Sequence, residues 1–118
     1  MRDRRSNRVR QSPPEWVSVY GISVVGDETE FTLRGDFDLT NTPQLAAVLK
    51  NYESDRIVLD LRGVNYIDSA FLTALVRHVQ AARKQGGELA LRVAAHSHIS
   101  RVLDIAKLGT VIDLRYEG

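Results

Sequence analysis

No cysteine occurs in the 118 residues. That absence excludes a disulfide framework, a thiolate nucleophile and a cysteine metal site, and it agrees with a reducing compartment. No apolar run approaches the roughly 18 residues of a membrane span. The basic N-terminus runs into polar residues and prolines rather than an apolar segment, so it does not read as a secretory signal. Neither G-x-x-x-x-G-K-[ST] nor G-x-G-x-x-G is present, which argues against a nucleotide enzyme. Histidine is scarce. His78 lies more than two turns into a helix that Ser69 would begin, too far to serve as its base. His96 and His98 have no carboxylate at matching spacing and no third ligand, so neither a hydrolase triad nor a metal site is expected there. Asp36, Asp38 and Asp68 fall at strand ends, where a metal or acid–base group is one reading and turn or capping chemistry the other.

What is present fits a single soluble domain. Apolar residues make up 43% and charged residues 26%, enough for one real core in a chain of this length. The net charge is only +1, but residues 1–10, "MRDRRSNRVR", hold five arginines against one aspartate. "QSPPE" follows as a stiff polar spacer. Residues 1–15 therefore read as a flexible arginine-rich arm and 16–118 as the domain.

Within the domain, "WVSVYGISVV" (16–25) and "EFTLRG" (30–35) alternate like strands of an antiparallel hairpin. Thr42 suits an N-cap and Pro43 a first helical position. "RIVLDL" (56–61) reads as a central strand covered on both faces. A helix beginning at "DSAFL" carries Phe71, Leu72, Leu75, Val76 and Val79 at helical spacing. It ends in Arg83, Lys84 and the pair Gly86–Gly87. A strand over 88–95, a helix over 97–109 and a last strand over 110–114 complete the pattern. The order β-β-α-β-α-β-α-β predicts an α/β layer structure: a mixed sheet of about five strands, opened by a hairpin, with helices packed on it. Leu59 and Leu75 are expected in its core.

Four stretches in this order resemble the STAS domain of anti-sigma factor antagonists. They are "GDFDLTNTPQL" (35–45), "IVLDLRGVNYIDSAFL" (57–72), "KQGGELALRV" (84–93) and "RVLDIAKLGTVIDL" (101–114). The resemblance spans roughly residues 18–115, and the family's final helix has no counterpart before Gly118. It implies a phosphorylation-gated interaction module, not an enzyme. Matched residue by residue, Ser69 is the phosphoacceptor, and Asp38, Asp68, Ser69, Ala70, Phe71 and Leu72 form the partner-binding surface. The implied partner is an anti-sigma factor with serine kinase activity, reset by a serine phosphatase, in the cytoplasm. No cofactor, no direct nucleic acid and no membrane insertion are implied, and a homodimer stays open. Two positions depart from the family: its Gly two residues after the serine is Phe71, and its second Ser/Thr is Ala70. The alternative is a non-phosphorylated STAS subunit, acting as a stress-complex scaffold or a lipid-transporter accessory subunit. In the bland reading, Ser69 merely caps a helix.

Overall fold

The computed structural model describes residues 19–118. The arm expected over 1–15, and residues 16–18 of the first expected strand, lie outside the described residues. Five strands form one sheet in the order β1-β2-β3-β4-β5. They are β1 (Val19–Val25), β2 (Glu28–Phe37), β3 (Arg56–Ile67), β4 (Glu88–Ala94) and β5 (Asp113–Glu117). β1 and β2 are antiparallel, and the later pairs are parallel. The hairpin turns through Gly26 at φ 63°, a left-handed conformation that glycine adopts without a Cβ clash. Each parallel pair needs a crossover. α1 (Thr42–Leu49), α2 (Ser69–Gln85) and α3 (His98–Ile105) supply the three.

Strand alternation decides which side of the sheet the helices cover. Phe31, Leu33, Ile57, Leu59, Leu61, Leu89, Leu91 and Val93 point to one side. There they join Leu45, Leu49, Phe71, Leu75, Ile99 and Leu103 in one buried cluster. All three helices contribute to that cluster, so they share one face. Two aromatic contacts fix the helix layer to the sheet. Phe31 meets Tyr52 edge-on at 4.9 Å between centroids, and Phe37 meets Phe71 at 5.2 Å.

The opposite face carries no helix among the described residues. Val58 and Ala90 are nevertheless buried there, on a face that also carries four arginines and their carboxylate partners. Arg62 grips Asp60 through two nitrogens, at 3.0 and 2.8 Å, and reaches Glu117 at 3.2 Å. Arg92 bonds Glu30 at 2.8 Å and also Glu117. Arg115 holds both oxygens of Glu28, at 3.0 and 2.8 Å, and Asp113 at 3.0 Å. Arg56 spans Asp27 and Glu88. β3 is thus covered on both faces, as its unbroken apolar run suggested, but one cover is ionic.

Several boundaries differ from the sequence reading. β2 runs longer than 30–35, and β3 continues past Leu61 to Ile67. Beyond Leu61, β3 still pairs with β2, through two register shifts. α3 stops at Ile105, and Lys107 takes a left-handed φ of 57° before a 3-10 turn over Leu108–Thr110. The last strand therefore starts at Asp113, three residues later than expected. Asn41, not Thr42, is the N-cap of α1. Thr42 is the first helical residue, and it is buried.

Two substitutions separate packing from backbone geometry. Leu59 is 0% exposed, and Leu59→Ala should cost about 2–5 kcal/mol in urea unfolding, as should Leu75→Ala. Gly87 is tight for another reason: a Cβ there would lie 2.2 Å from the Glu53 carbonyl oxygen and 2.6 Å from that of Asp55. Backbone cannot swing aside as a side chain can, so Gly87→Ala should cost about 1–3 kcal/mol or more despite adding one methyl group. A midpoint equal to wild type for Gly87→Ala would show that the β4 entry is looser than this geometry.

Candidate functional site

Phe37 and Ile67 pair at the ends of β2 and β3, so the loops that follow them meet. One side chain joins them. Asp68 stands at the N-cap of α2 in an extended conformation, and its Oδ1 accepts the Phe71 N–H at 3.0 Å. Its Oδ2 accepts the Leu39 N–H of the neighbouring loop, also at 3.0 Å. Its own N–H donates to the Phe37 carbonyl at 3.2 Å. The β2–α1 loop is folded on Asp38. Its Oδ1 accepts the Thr40 N–H at 2.9 Å and the Thr40 hydroxyl at 2.5 Å. Asn41 closes the turn by accepting the Asp38 N–H at 2.9 Å and donating to the Asp36 carbonyl at 2.7 Å. The Thr40 hydroxyl first, and its N–H second, hold the Asp38 carboxyl below the usual carboxylate range.

Ser69 is the first residue of α2 and is exposed. Asp68 does the capping, so Ser69 is not the cap, and no group among the described residues bonds its hydroxyl. The structure therefore brings Asp38, Asp68 and Ser69 to one corner, with Leu39 72% exposed beside them. Ala70 is half-buried and Leu72 packs partly against the core. Phe71 is a correction to the expected partner surface. Its ring is 0% exposed and lies on Phe37, so it anchors the start of α2 from beneath instead of meeting a partner. Among the described residues no group of three His, Cys, Asp or Glu side chains could hold a metal ion, and Asp36, Asp38 and Asp68 make no such cluster. His96 and His98 are exposed, and Ser97 between them caps α3.

From this corner a groove of about 800 Å³ runs between α1 and α2. Small side chains open it: Pro43 and Ala46 on one wall, Ala70, Thr73 and Ala74 on the other. Its far end is polar, with Lys50, Glu53, Arg77 and His78. His78 is only 6% exposed, and its Nε2 has no hydrogen-bond partner. Burial pushes its pKa down, and the nearby Glu53 carboxylate only partly opposes this. The sequence reading set His78 aside as a local base for Ser69 and gave it no other place. The signal was there, since His78 stands three residues after Leu75 and seven after Phe71, on the inward stripe.

The corner thus sets the Asp38 and Asp68 carboxylates beside a free Ser69 hydroxyl, on an α/β sheet whose described helices all lie on one face. Residues 21–115 match the family model described as "Mlab, STAS domain", and the chain belongs to the STAS domain family. Solved structures give the same fold. An anti-sigma factor antagonist from Mycobacterium paratuberculosis superimposes with a TM-score of 0.69 at 18% identity, over 80% of this chain and 81% of that one. An anti-sigma-factor antagonist (STAS) domain protein from Planctomyces limnophilus gives 0.59 at 18%, over 82% and 88%. The anti-sigma factor antagonist SpoIIAA, in its unphosphorylated form, gives 0.61 at 13%, over 82% and 87%.

The depressed pKa of His78 has a signed consequence for stability. An unfolded histidine takes up its proton near pH 6.5. The folded chain resists that proton until a lower pH, because the charge would be buried. The unfolded state therefore binds more protons in this window, and stability rises with pH there. Stability should be full above about pH 7 and fall as pH drops through 6.5 toward the native value, by at most about 1.4 kcal/mol per pH unit for one proton. His78→Phe should flatten this slope in urea titrations between pH 8 and pH 5. An unchanged slope would assign the dependence to other groups.

Proposed function

We propose that this protein is an anti-sigma factor antagonist whose partner binding is gated by phosphorylation of Ser69. Dephosphorylated, it binds an anti-sigma factor that is also a serine kinase, and the sigma factor is released. The kinase modifies Ser69 and ends the interaction, and a serine phosphatase restores it. The partners and the protein meet in the cytoplasm. The observation that carries this reading is the state of the Ser69 hydroxyl: exposed, unbonded, and beside a carboxylate already committed to the helix cap. A hydroxyl needed for capping would cost stability when modified. Here Asp68 caps, so Ser69 is free to change.

The physics of the modified form follows from the same atoms. Phosphate adds about −1.5 to −2 charges and three strong acceptors. A helix N-terminus tolerates that charge. Both Asp68 oxygens, however, already take N–H groups from Leu39 and Phe71, and the carboxylate repels the phosphate. The new charge therefore acts outward, on the partner. Asp38, Asp68, Ser69 and Ala70 form the contact surface, with Leu72 supporting it. Phe71 beneath the surface leaves room for a kinase loop that its family's glycine would also leave.

A second reading is a STAS subunit that is never phosphorylated, a stress-complex scaffold or a lipid-transporter accessory subunit. Ala70 in place of the family's second Ser/Thr favours it, as does the "Mlab" description of the matching model.

The two readings part on one experiment. The anti-sigma kinase is identified by pull-down from native cells and incubated with purified protein and ATP. Mass spectrometry then follows the peptide spanning residues 63–77. Phosphate on Ser69, lost in Ser69→Ala, is expected. Ser69→Ala should bind the kinase as wild type does. Ser69→Glu should bind more weakly, by up to a hundredfold if the interface charges it about 3 kcal/mol. A kinase that binds but leaves Ser69 untouched, or modifies Thr73 instead, moves the assignment to the second reading.

A further inference from the structure

The groove between α1 and α2 continues well beyond the Ser69 corner, and its chemistry changes along its length. Its α2 wall runs from Ala70 to Ala81, which is about 16 Å or three helical turns at a rise of about 1.5 Å per residue. Alanines and a proline hold the floor low without filling it, so another helix backbone can approach closely. At the far end Lys50 and Arg77 make no ion pair among the described residues. The sheet face is different: there Arg56, Arg62, Arg92 and Arg115 are each matched to carboxylates. Glu53 offsets one of the two groove cations, which leaves a net positive end. Beneath them His78 is more than nine-tenths buried, with an unpartnered Nε2. An apolar trough with one positive, hydrogen-bonding end fits a segment that is apolar along one stripe and acidic at one end.

We infer that the α1–α2 groove receives an amphipathic helix of a protein partner, with small apolar side chains against Ala46 and Ala74 and a carboxylate seated at Lys50 and Arg77, above the buried His78. This is the helix-in-groove mode of recognition. It deepens the proposed function by giving the partner a second foothold, away from Ser69, and it rests on that reading only for the partner's identity. Phosphorylation at the corner would then act on an interaction whose register is set at the other end. The groove end decides which helix is accepted, and the corner decides when.

The test uses a defined probe and no kinase, so its failure and the failure of the phosphorylation reading are separate results. The probe is a helical peptide of about 14 residues with alanine and leucine at helical spacing and two glutamates at one end. A control peptide carries two lysines instead. Each is titrated into the full-length, isotope-labelled protein and followed by amide chemical shifts. The glutamate peptide is expected to shift Ala46, Ala74, Arg77 and His78 and to bind at least tenfold tighter than the lysine peptide. Arg77→Glu, at an exposed position that leaves the core untouched, should invert that preference while its thermal unfolding stays cooperative. Ser69→Glu should leave the peptide preference in place. Equal affinity for both peptides, shifts confined to another face, or a preference that survives Arg77→Glu would overturn the inference. So would groove shifts produced by laurate but by neither peptide.

Discussion

The two oxygens of Asp68 carry the site. One holds the start of α2 through the Phe71 N–H, the other holds the β2–α1 loop through the Leu39 N–H. A carboxylate that accepts two backbone N–H groups makes two charge-assisted bonds from one residue. The corner at which the groove begins is closed by that residue. Phe71 works from below, packed on Phe37, so the first turn of α2 is pinned from solvent and from the core. Between these two pins the exposed surface can present a hydroxyl that has no structural duty. Asp68 does the structural work, and the Ser69 hydroxyl one residue on is left out of it.

Much of this was legible in the chain, for local reasons. The element order followed from periodicity, and the inward face of α2 from apolar residues at 71, 75 and 79. The family pattern picked out Asp38, Asp68 and Ser69 as neighbours, and the loops do bring them together. What could not be read was decided by contacts distant in sequence. Asp68 and Ser69 are both good N-caps, and only the position of the Leu39 loop shows which one serves. The strand expected over 56–61 stopped short of "RGVNYI", where polar residues interrupt the apolar run. That stretch is strand because β2 lies alongside, and Gly63 lets the two come close, with its absent Cβ only 3.1 Å from the Leu33 carbonyl. The start of β5 was misplaced because a left-handed Lys107 and a 3-10 turn consume residues that look strand-like. The groove has no sequence signature at all, since it is a gap between two helices set by strand register.

The molecule divides its work between the faces of one sheet. The helix side supplies the burial that stabilises the fold, worth roughly 1.5–3 kcal/mol for each large apolar side chain taken out of water, and it displays the site. The other side is a layer of interlaced arginines and carboxylates. Exposed ion pairs contribute little each, typically 0–1 kcal/mol, and the layer should not be counted as a second core. Long arginine stems can shield apolar surface on such a face, the task a helix performs on a doubly covered sheet.

That ionic layer also restricts how the strands can be assembled. Arg115 on β5 reaches Glu28 on β2, 87 residues away in sequence, across the two strands between them. The bond forms only when all four strands stand in the correct order. A slip of one residue in β4 would turn Arg92 toward the core and Leu91 toward water, since side chains alternate with a period of two. The layer therefore acts as a combination lock on strand order: each arginine is a pin that drops only when the register beneath it is right. Its value lies less in the energy of the finished protein than in the number of wrong sheets it makes unprofitable.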